Sequence, residues 1–359
     1  MVHFLLALAV FLAFLGYKNK HIQRIAFFVL FAFAALRFMY GNDYMNYYLW
    51  FKHIHAGGQS QFKTEILYNF LNRALPSFPV LVALSSALLI AVVYRMIYKN
   101  LPVRYASIAI FIFVVNPYLF LMNLSALRQS IATCFFIMAV GFAYRKKYIW
   151  YCVLVIVATL FHKSAILLLP VCLIANAKPV KTWVCWAILA GTLTLLLSSE
   201  FLVNTVIWVA EQFDDKNYIY FANQEMKNTV RATLLTSVYF FYVLFNLPKL
   251  KGRPLVYAKL YLISTIFGIL AKEMSMLTRL QQYFEIFSIV ALPAIYMEIR
   301  SRGPVIVNRR NVLITLWDCI NRYAMPLLLV TIYLLRYYSF FTNELWKPFF
   351  TYRTIFMLL

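Results

Sequence analysis

Residues 153–170 read VLVIVATLFHKSAILLLP, and the fold class turns on this stretch. From Val153 to Phe161 the residues are apolar except for Thr159, with no alternation of apolar and polar positions. A membrane-spanning strand has to alternate, because its two faces meet lipid and lumen in turn. A run of this kind is a helix in hydrocarbon, where every backbone group must be paired within the segment. His162 and Lys163 then stand side by side before a second apolar run begins at Ala165. Charge at mid-bilayer is costly, so the pair belongs at a turn between two short helices at a membrane face.

The rest of the chain agrees. Its 359 residues are 64% hydrophobic and 13% charged, with a mean hydropathy of +0.75. A soluble protein has too little interior volume to hide that much apolar surface. The reading is an all-α, polytopic integral membrane protein. Apolar segments fall at roughly 2–16, 25–39, 78–97, 105–122, 126–143, 148–161, 164–176, 182–198, 233–247, 256–271, 281–297 and 313–335. They predict about 12 transmembrane helices, within a range of 10–13. Several are shorter than the roughly 20 residues a full crossing needs, which points to a thinned or dented membrane region. No short-period repeat divides the chain, so 1–359 reads as one membrane domain. Two polar excursions interrupt it, at 40–77 and 199–232.

A net charge of +22 would suggest nucleic acid in a soluble chain. Here the basic residues orient the protein instead. Lys18, Lys20 and Arg24; Arg95, Lys99 and Arg104; and Arg145, Lys146 and Lys147 fill three alternate loops. Lys178 and Lys181; Lys249, Lys251, Arg253 and Lys259; and Arg300, Arg302, Arg309 and Arg310 fill three more. Every second loop is basic, so these loops are expected in the cytoplasm, with both termini and both excursions outside. The apolar N-terminus has no charged leader and no small-residue cleavage site, and reads as a retained first helix. Cys134, Cys152, Cys172, Cys185 and Cys319 fall in or beside apolar segments and indicate no disulfide framework. No Walker loop, GxGxxG or CxxC is present. No cofactor is expected, and nucleic acid is not a partner.

Once the cytoplasmic loops are set aside, the remaining unusual polar residues all map to the outer face. They are Arg37, Asp43, Tyr44, Tyr47, Glu65, Tyr68, Arg128, Gln129, His162, Lys163, Arg231 and Arg279. Ionisable groups near membrane depth usually face a partner or a cavity. Four arginines at the ends of separate helices suit a phosphate group through their planar donor forks. The competing reading of each arginine is a snorkelling anchor or a carboxylate partner. Other polar features have plainer readings. His53 and His55 make two metal ligands without a third. Asp318 and Arg322, spaced i, i+4, are expected to satisfy each other. Asp214 and Asp215, near Tyr218 and Tyr220, read as a solvated charge run.

In this order, these residues resemble the EpsG family of Wzy-like bacterial polysaccharide polymerases. The resemblance rests on Arg37-x3-Gly41-x-Asp43-Tyr44-x2-Tyr47 and on Glu65 with Tyr68. It continues through Leu127-Arg128-Gln129-x-Ile131-Ala132, Phe161-His162-Lys163-Ser164-Ala165 and Arg279-x3-Tyr283-Phe284. It spans most of the chain and is densest over 37–170; the 199–232 excursion and the C-terminal FFTNELWKPFFTYRTIF contribute little. The resemblance implies a membrane glycosyltransferase of O-antigen, capsule or exopolysaccharide synthesis. Such an enzyme joins undecaprenyl-diphosphate-linked oligosaccharide repeats at the outer face of the bacterial inner membrane. A flippase and a chain-length regulator are the partners to expect, besides membrane lipids. Catalytic roles would fall to His162, Asp43 and Arg128, with either His162 or Asp43 as base. Substrate contacts would come from Arg37, Arg279, Arg231, Lys163, Gln129, Tyr44, Tyr47, Glu65 and Tyr283.

Three other readings remain open. A lipid-linked-oligosaccharide flippase is also polytopic and basic, but should carry functional charges at mid-span. A membrane-bound O-acyltransferase could use His162, with its acyl donor arriving from the cytoplasm. An O-antigen ligase-like glycosyltransferase shares the donor and differs only in its acceptor.

Overall fold

The computed structural model describes residues 1–59, 64–176, 178–198, 201, 204, 229–273, 277–302 and 312–358. Asp214, Asp215, Tyr218, Tyr220, Arg309 and Arg310 lie outside the described residues, as does most of the 199–232 excursion. Among the described residues the protein is all-α apart from two two-residue strands. Packing groups the helices into two compact units. The first comprises Met1–Asn176 with Tyr333–Leu359, and the second comprises Ala177–Ile332.

The first unit opens with α1 (Val2–Leu15) and α2 (Lys20–Ala35), packed as a hairpin. Asn19 caps α2 by accepting the His21 N–H at 2.9 Å. One buried glutamine ties several helices together. Gln23 donates to Ser107 Oγ at 2.9 Å and to the Val103 carbonyl at 3.1 Å, and accepts from Tyr98 OH at 2.6 Å. Ser107 in turn donates to the Ala13 carbonyl at 2.7 Å. In an apolar interior such a fully used amide fixes how the helices meet, because any slip strands a polar atom. Gly16 permits the close turn: a Cβ there would lie 2.9 Å from the Gln23 nitrogen.

After α2 the chain runs through β1 (Arg37–Phe38) into α3 (Tyr44–His55) and α4 (Ile66–Ala74). The 40–77 excursion is therefore largely helical. Next come α5 (Phe78–Asn100), α6 (Val103–Val115), the short α7 (Leu121–Ser125), α8 (Leu127–Tyr144) and α9 (Tyr148–Phe161). Pro102 separates α5 from α6, since it disfavours helical backbone at Leu101 before it. A 3₁₀ helix over Lys163–Leu173 folds back on α9, held by Tyr151 OH donating to the Leu168 carbonyl at 2.5 Å. His162 stands at the break between them with extended backbone (φ −153°, ψ 111°). That is the turn expected from the sequence.

The second unit contains α10 (Thr182–Leu197), α11 (Val230–Asn246), α12 (Gly252–Leu270), α13 (Leu277–Glu285), α14 (Ser288–Ser301) and α15 (Val312–Cys319). A π-helical turn at Ile320–Ala324 leads into α16 (Met325–Thr342), which carries the chain back to the first unit. Arg322, in that turn, donates to the Ile299 carbonyl at 2.9 Å.

Near the C-terminus, before a final 3₁₀ turn at Ile355–Leu358, β2 (Arg353–Thr354) runs antiparallel to β1 with Arg37 opposite Thr354. The C-terminal segment, barely informative as sequence, is therefore a structural lid over the Arg37 region. Tyr352 stacks on Phe33 at 4.5 Å and donates its hydroxyl to the Phe33 carbonyl at 2.7 Å. Gly41 N–H donates to the Pro348 carbonyl at 3.3 Å, and Asn42 Nδ2 to the Leu345 carbonyl at 3.1 Å.

Among the described residues, five helical stretches are long and apolar enough to cross a membrane: Phe78–Asn100, Leu127–Tyr144, Val230–Lys249, Gly252–Leu270 and Ile320–Thr342. The pair α13 and α14, bent by 53°, adds a sixth if counted as one broken span. Five shorter apolar helices accompany them, including α9 at 14 residues. By length and composition the described residues thus carry five or six candidate full-length spans, as a multi-pass helical membrane protein requires. The expected total of about 12 counts the short helices as crossings too.

Candidate functional site

A single buried carboxylate organises the site. Glu65, the N-cap of α4, is 2% exposed. Its Oε2 lies 2.5 Å from Arg128 Nη1, and its Oε1 lies 3.2 Å from His162 Nδ1. Oε1 also accepts the Lys163 backbone N–H at 3.3 Å. Three segments far apart in sequence are thereby joined at one group: the start of α4, the first turn of α8 and the break after α9. Burial alone would raise the Glu65 pKa. Hydrogen bonds from His162 and Arg128, with the Arg128 charge, more than offset that and hold it below its ordinary 4.5.

The Arg128 side chain is 18% exposed, and its Nε donates to Tyr47 OH at 3.4 Å. The guanidinium also lies over the Tyr47 ring, 5.8 Å from its centroid, a cation–π contact. Tyr47 packs edge-on against the fully buried Tyr68 at 6.0 Å. Burial raises the pKa of Tyr47; the Arg128 charge and hydrogen bond oppose this only in part, and the Asp43 charge adds to it, so the phenol stays neutral. Asp43 precedes α3 and is half-buried. Its backbone N–H donates to Ser125 Oγ at 3.1 Å, and that hydroxyl donates back to Asp43 Oδ2 at 3.4 Å. Gly41 allows this approach. It has φ +102°, and a Cβ there would lie 3.2 Å from Ser125 Cβ.

The remaining candidates separate by environment. Lys163 is exposed, while Gln129 is buried beside Arg128 in sequence. Tyr44 is buried and donates to the Arg37 carbonyl at 3.3 Å, its pKa pushed up to about 12 by burial. Arg37 is not open to a ligand. It is 1% exposed and donates to the carbonyls of Ala34 and Leu124 and to Ser86 Oγ. The lined space around it, bounded by Ser85, Ser86, Asn123 and Ser130, has no room for even one water. Within the second unit, Arg231 opens α11 and Arg279 lies on α13, both exposed, whereas Tyr283 is fully buried.

Sequence reasoning placed Glu65 among the substrate contacts and missed its central position. It also missed Glu285, 5% exposed in the second unit, which accepts from Ser264 Oγ at 2.9 Å and Gln281 Nε2 at 3.2 Å. The signal for Glu285 was available: an acid directly after Tyr283-Phe284, heading into an apolar run. His55 is engaged locally, with its ring stacked on Phe51 at 4.2 Å and Nε2 2.7 Å from the Asn72 carbonyl. Among the described residues, no three His, Cys, Asp or Glu side chains gather as a metal-binding group.

The geometry suits proton transfer beside an anion. With Nδ1–H directed at Glu65, the His162 imidazole carries its lone pair on Nε2, the form a general base needs. Arg128, partly exposed and a few ångströms away through the shared carboxylate, offers positive charge on the same small surface. No curated protein and no solved structure matches this chain. The family comparison does match, over residues 20–354, nearly the whole length; the chain belongs to the EpsG family, whose members are Wzy-like polymerases.

Proposed function

Starting from membership of the EpsG family, we propose that this protein is a polysaccharide polymerase acting on undecaprenyl-diphosphate-linked oligosaccharides at the outer face of a bacterial inner membrane. The observation that carries the reading to particular residues is Glu65, shared between Arg128 and His162. His162 Nε2 accepts the proton of the acceptor sugar's hydroxyl as that oxygen bonds to the anomeric carbon of the donor chain. The anomeric carbon–oxygen bond to the diphosphate breaks, and the lipid diphosphate leaves with the electron pair. Arg128 neutralises charge developing on it, an effect strongest in a preorganised site. The proton on His162 then passes to solvent or to the departing diphosphate, restoring the base.

Lys163 is exposed beside this pair and suits a second phosphate contact. Arg231 and Arg279, both exposed in the second unit, are candidates for anion contacts there. Arg37 takes a different role here: with its Nη donors engaged by carbonyls and Ser86, it fixes the loop that leads to Asp43. Asp43, tied to Ser125 and felt by Tyr47, orients the acceptor sugar.

The test is incubation of purified protein with lipid-diphosphate-linked repeats in liposomes. A ladder of products one repeat apart supports polymerisation. A single transfer to a different lipid acceptor would indicate a ligase, and unchanged repeats moved across the bilayer would indicate a flippase.

A further inference from the structure

The helix that follows Glu65 is inside out. Along α4 the buried face is polar: Glu65, Tyr68 and Asn72, spaced i, i+3, i+7, are 2%, 0% and 0% exposed. The opposite face carries Ile66 and Phe70, one turn apart, at 61% and 62% exposed. A helix bathed in water shows the reverse order, because apolar surface is driven out of water and polar groups are not. The sequence reading placed 40–77 in water outside the membrane, so this pattern needs another solvent.

The neighbouring helix supplies a second, independent observation. At 14 residues, α9 spans about 21 Å, whereas the hydrocarbon core is about 30 Å thick. The shortfall of about 9 Å is close to the width of one helix lying flat, about 10 Å. α4 packs against α9, and Glu65 at its N-cap reaches His162 and Lys163 where α9 ends. The exposed side of α9 is itself apolar, with Ile149, Val153 and Ile156 outward, so an exposed apolar surface is carried by both packed helices.

We propose that α4 is embedded in lipid, with its Ile66–Phe70 face against hydrocarbon chains at the Phe161 end of α9. It fills the thickness that α9 leaves short, and sets the Glu65–Arg128–His162 cluster at membrane depth instead of in an aqueous loop. The inward turn of Glu65, Tyr68 and Asn72 follows, because hydrocarbon offers no hydrogen bonds to polar groups facing out. Arg73, exposed in the last turn, has the reach to keep its guanidinium at the headgroups. A substrate held on a lipid would meet the cluster sideways, from within the leaflet. The proposal concerns where α4 sits and stands apart from the polymerase reading.

The experiment is site-directed spin labelling in liposomes. Ile66→Cys and Phe70→Cys are made singly in a chain whose five native cysteines are replaced by alanine, and each is labelled with a nitroxide. Collision with oxygen, which concentrates in lipid, is compared with collision with a water-soluble nickel complex. Labels at 66 and 70 should favour oxygen as strongly as a label at Ile156→Cys, with a tenfold or greater contrast to one at Lys251→Cys. Preferential access of the nickel complex overturns the proposal. So does low access of both probes, which would mean that a second copy or another protein segment covers the face. Should the cysteine-free chain fold poorly, a benzophenone side chain at position 70, with native cysteines kept, should crosslink to lipid on illumination. Crosslinks to protein alone would refute lipid embedding.

Discussion

Replacing Glu65 by glutamine tests the site at its centre. The substitution keeps shape but removes the charge that Arg128 meets at 2.5 Å and His162 at 3.2 Å. Breaking a buried ion pair costs about 3–5 kcal/mol, because the surviving charge is left without compensation. Arg128 is 18% exposed and the glutamine oxygen still accepts one N–H, so about 2–3 kcal/mol of stability is the expected loss. The effect on the reaction should be larger. A glutamine NH₂ facing Nδ1 makes that nitrogen the acceptor and moves the His162 proton to Nε2, where no base function remains. Losing the carboxylate behind a catalytic histidine lowers turnover about 10⁴-fold in a well-ordered triad. For a single carboxylate shared with an arginine, roughly 10²- to 10³-fold is expected, or about 2.7–4 kcal/mol. The assay is single-linkage formation from lipid-diphosphate-linked repeats, alongside thermal unfolding in detergent. Acid titration gives an independent reading. Glu65 is held below 4.5, so its stabilisation is complete above that value and is lost as pH falls through the lowered one. That acid-dependent loss should be absent in Glu65→Gln. A variant with wild-type turnover and an unchanged acid profile would refute the shared-carboxylate reasoning.

Other substitutions separate the arginines. Arg128→Lys keeps the charge but loses the planar fork that spans Glu65 and Tyr47, so kcat/KM should fall roughly tenfold to a hundredfold, about 1.4–2.7 kcal/mol; full polymer yield at normal expression would remove Arg128 from the site. Arg37→Lys cannot reach the Ala34, Ser86 and Leu124 oxygens together, so thermal stability should drop by about 2–4 kcal/mol with donor KM unchanged. A normal melting temperature with a raised KM would return Arg37 to the substrate contacts. Gly41→Ala forces an L side chain to φ +102° against Ser125, which should cost about 1–3 kcal/mol and disturb Asp43; calorimetry of the purified variant checks it, and an unchanged midpoint would show that the loop relaxes freely.

The class of this protein was legible from composition and segment length, because hydrocarbon admits few solutions: nonalternating apolar runs such as Val153–Phe161 must be helices. The order of Arg37, Gly41, Asp43, Glu65, Arg128 and His162 was also sufficient to suggest the family, since each motif is a short local string. What these residues do to one another was not legible. Arg37 and Arg128 look alike in sequence, each a lone arginine at the end of an apolar segment. Only the fold turns Arg37 onto backbone carbonyls and leaves Arg128 partly open, because that depends on which helices and which C-terminal strand close around it. Glu65 and His162 are 97 positions apart, and no local pattern can report a contact of that range. The polarity of α4 was in the sequence all along, yet its meaning was not: a nine-residue amphipathic helix reads the same whichever face is buried. Sequence sets the alternation of polar and apolar positions along a segment. Tertiary packing decides which face turns inward, and therefore which solvent the other face must meet.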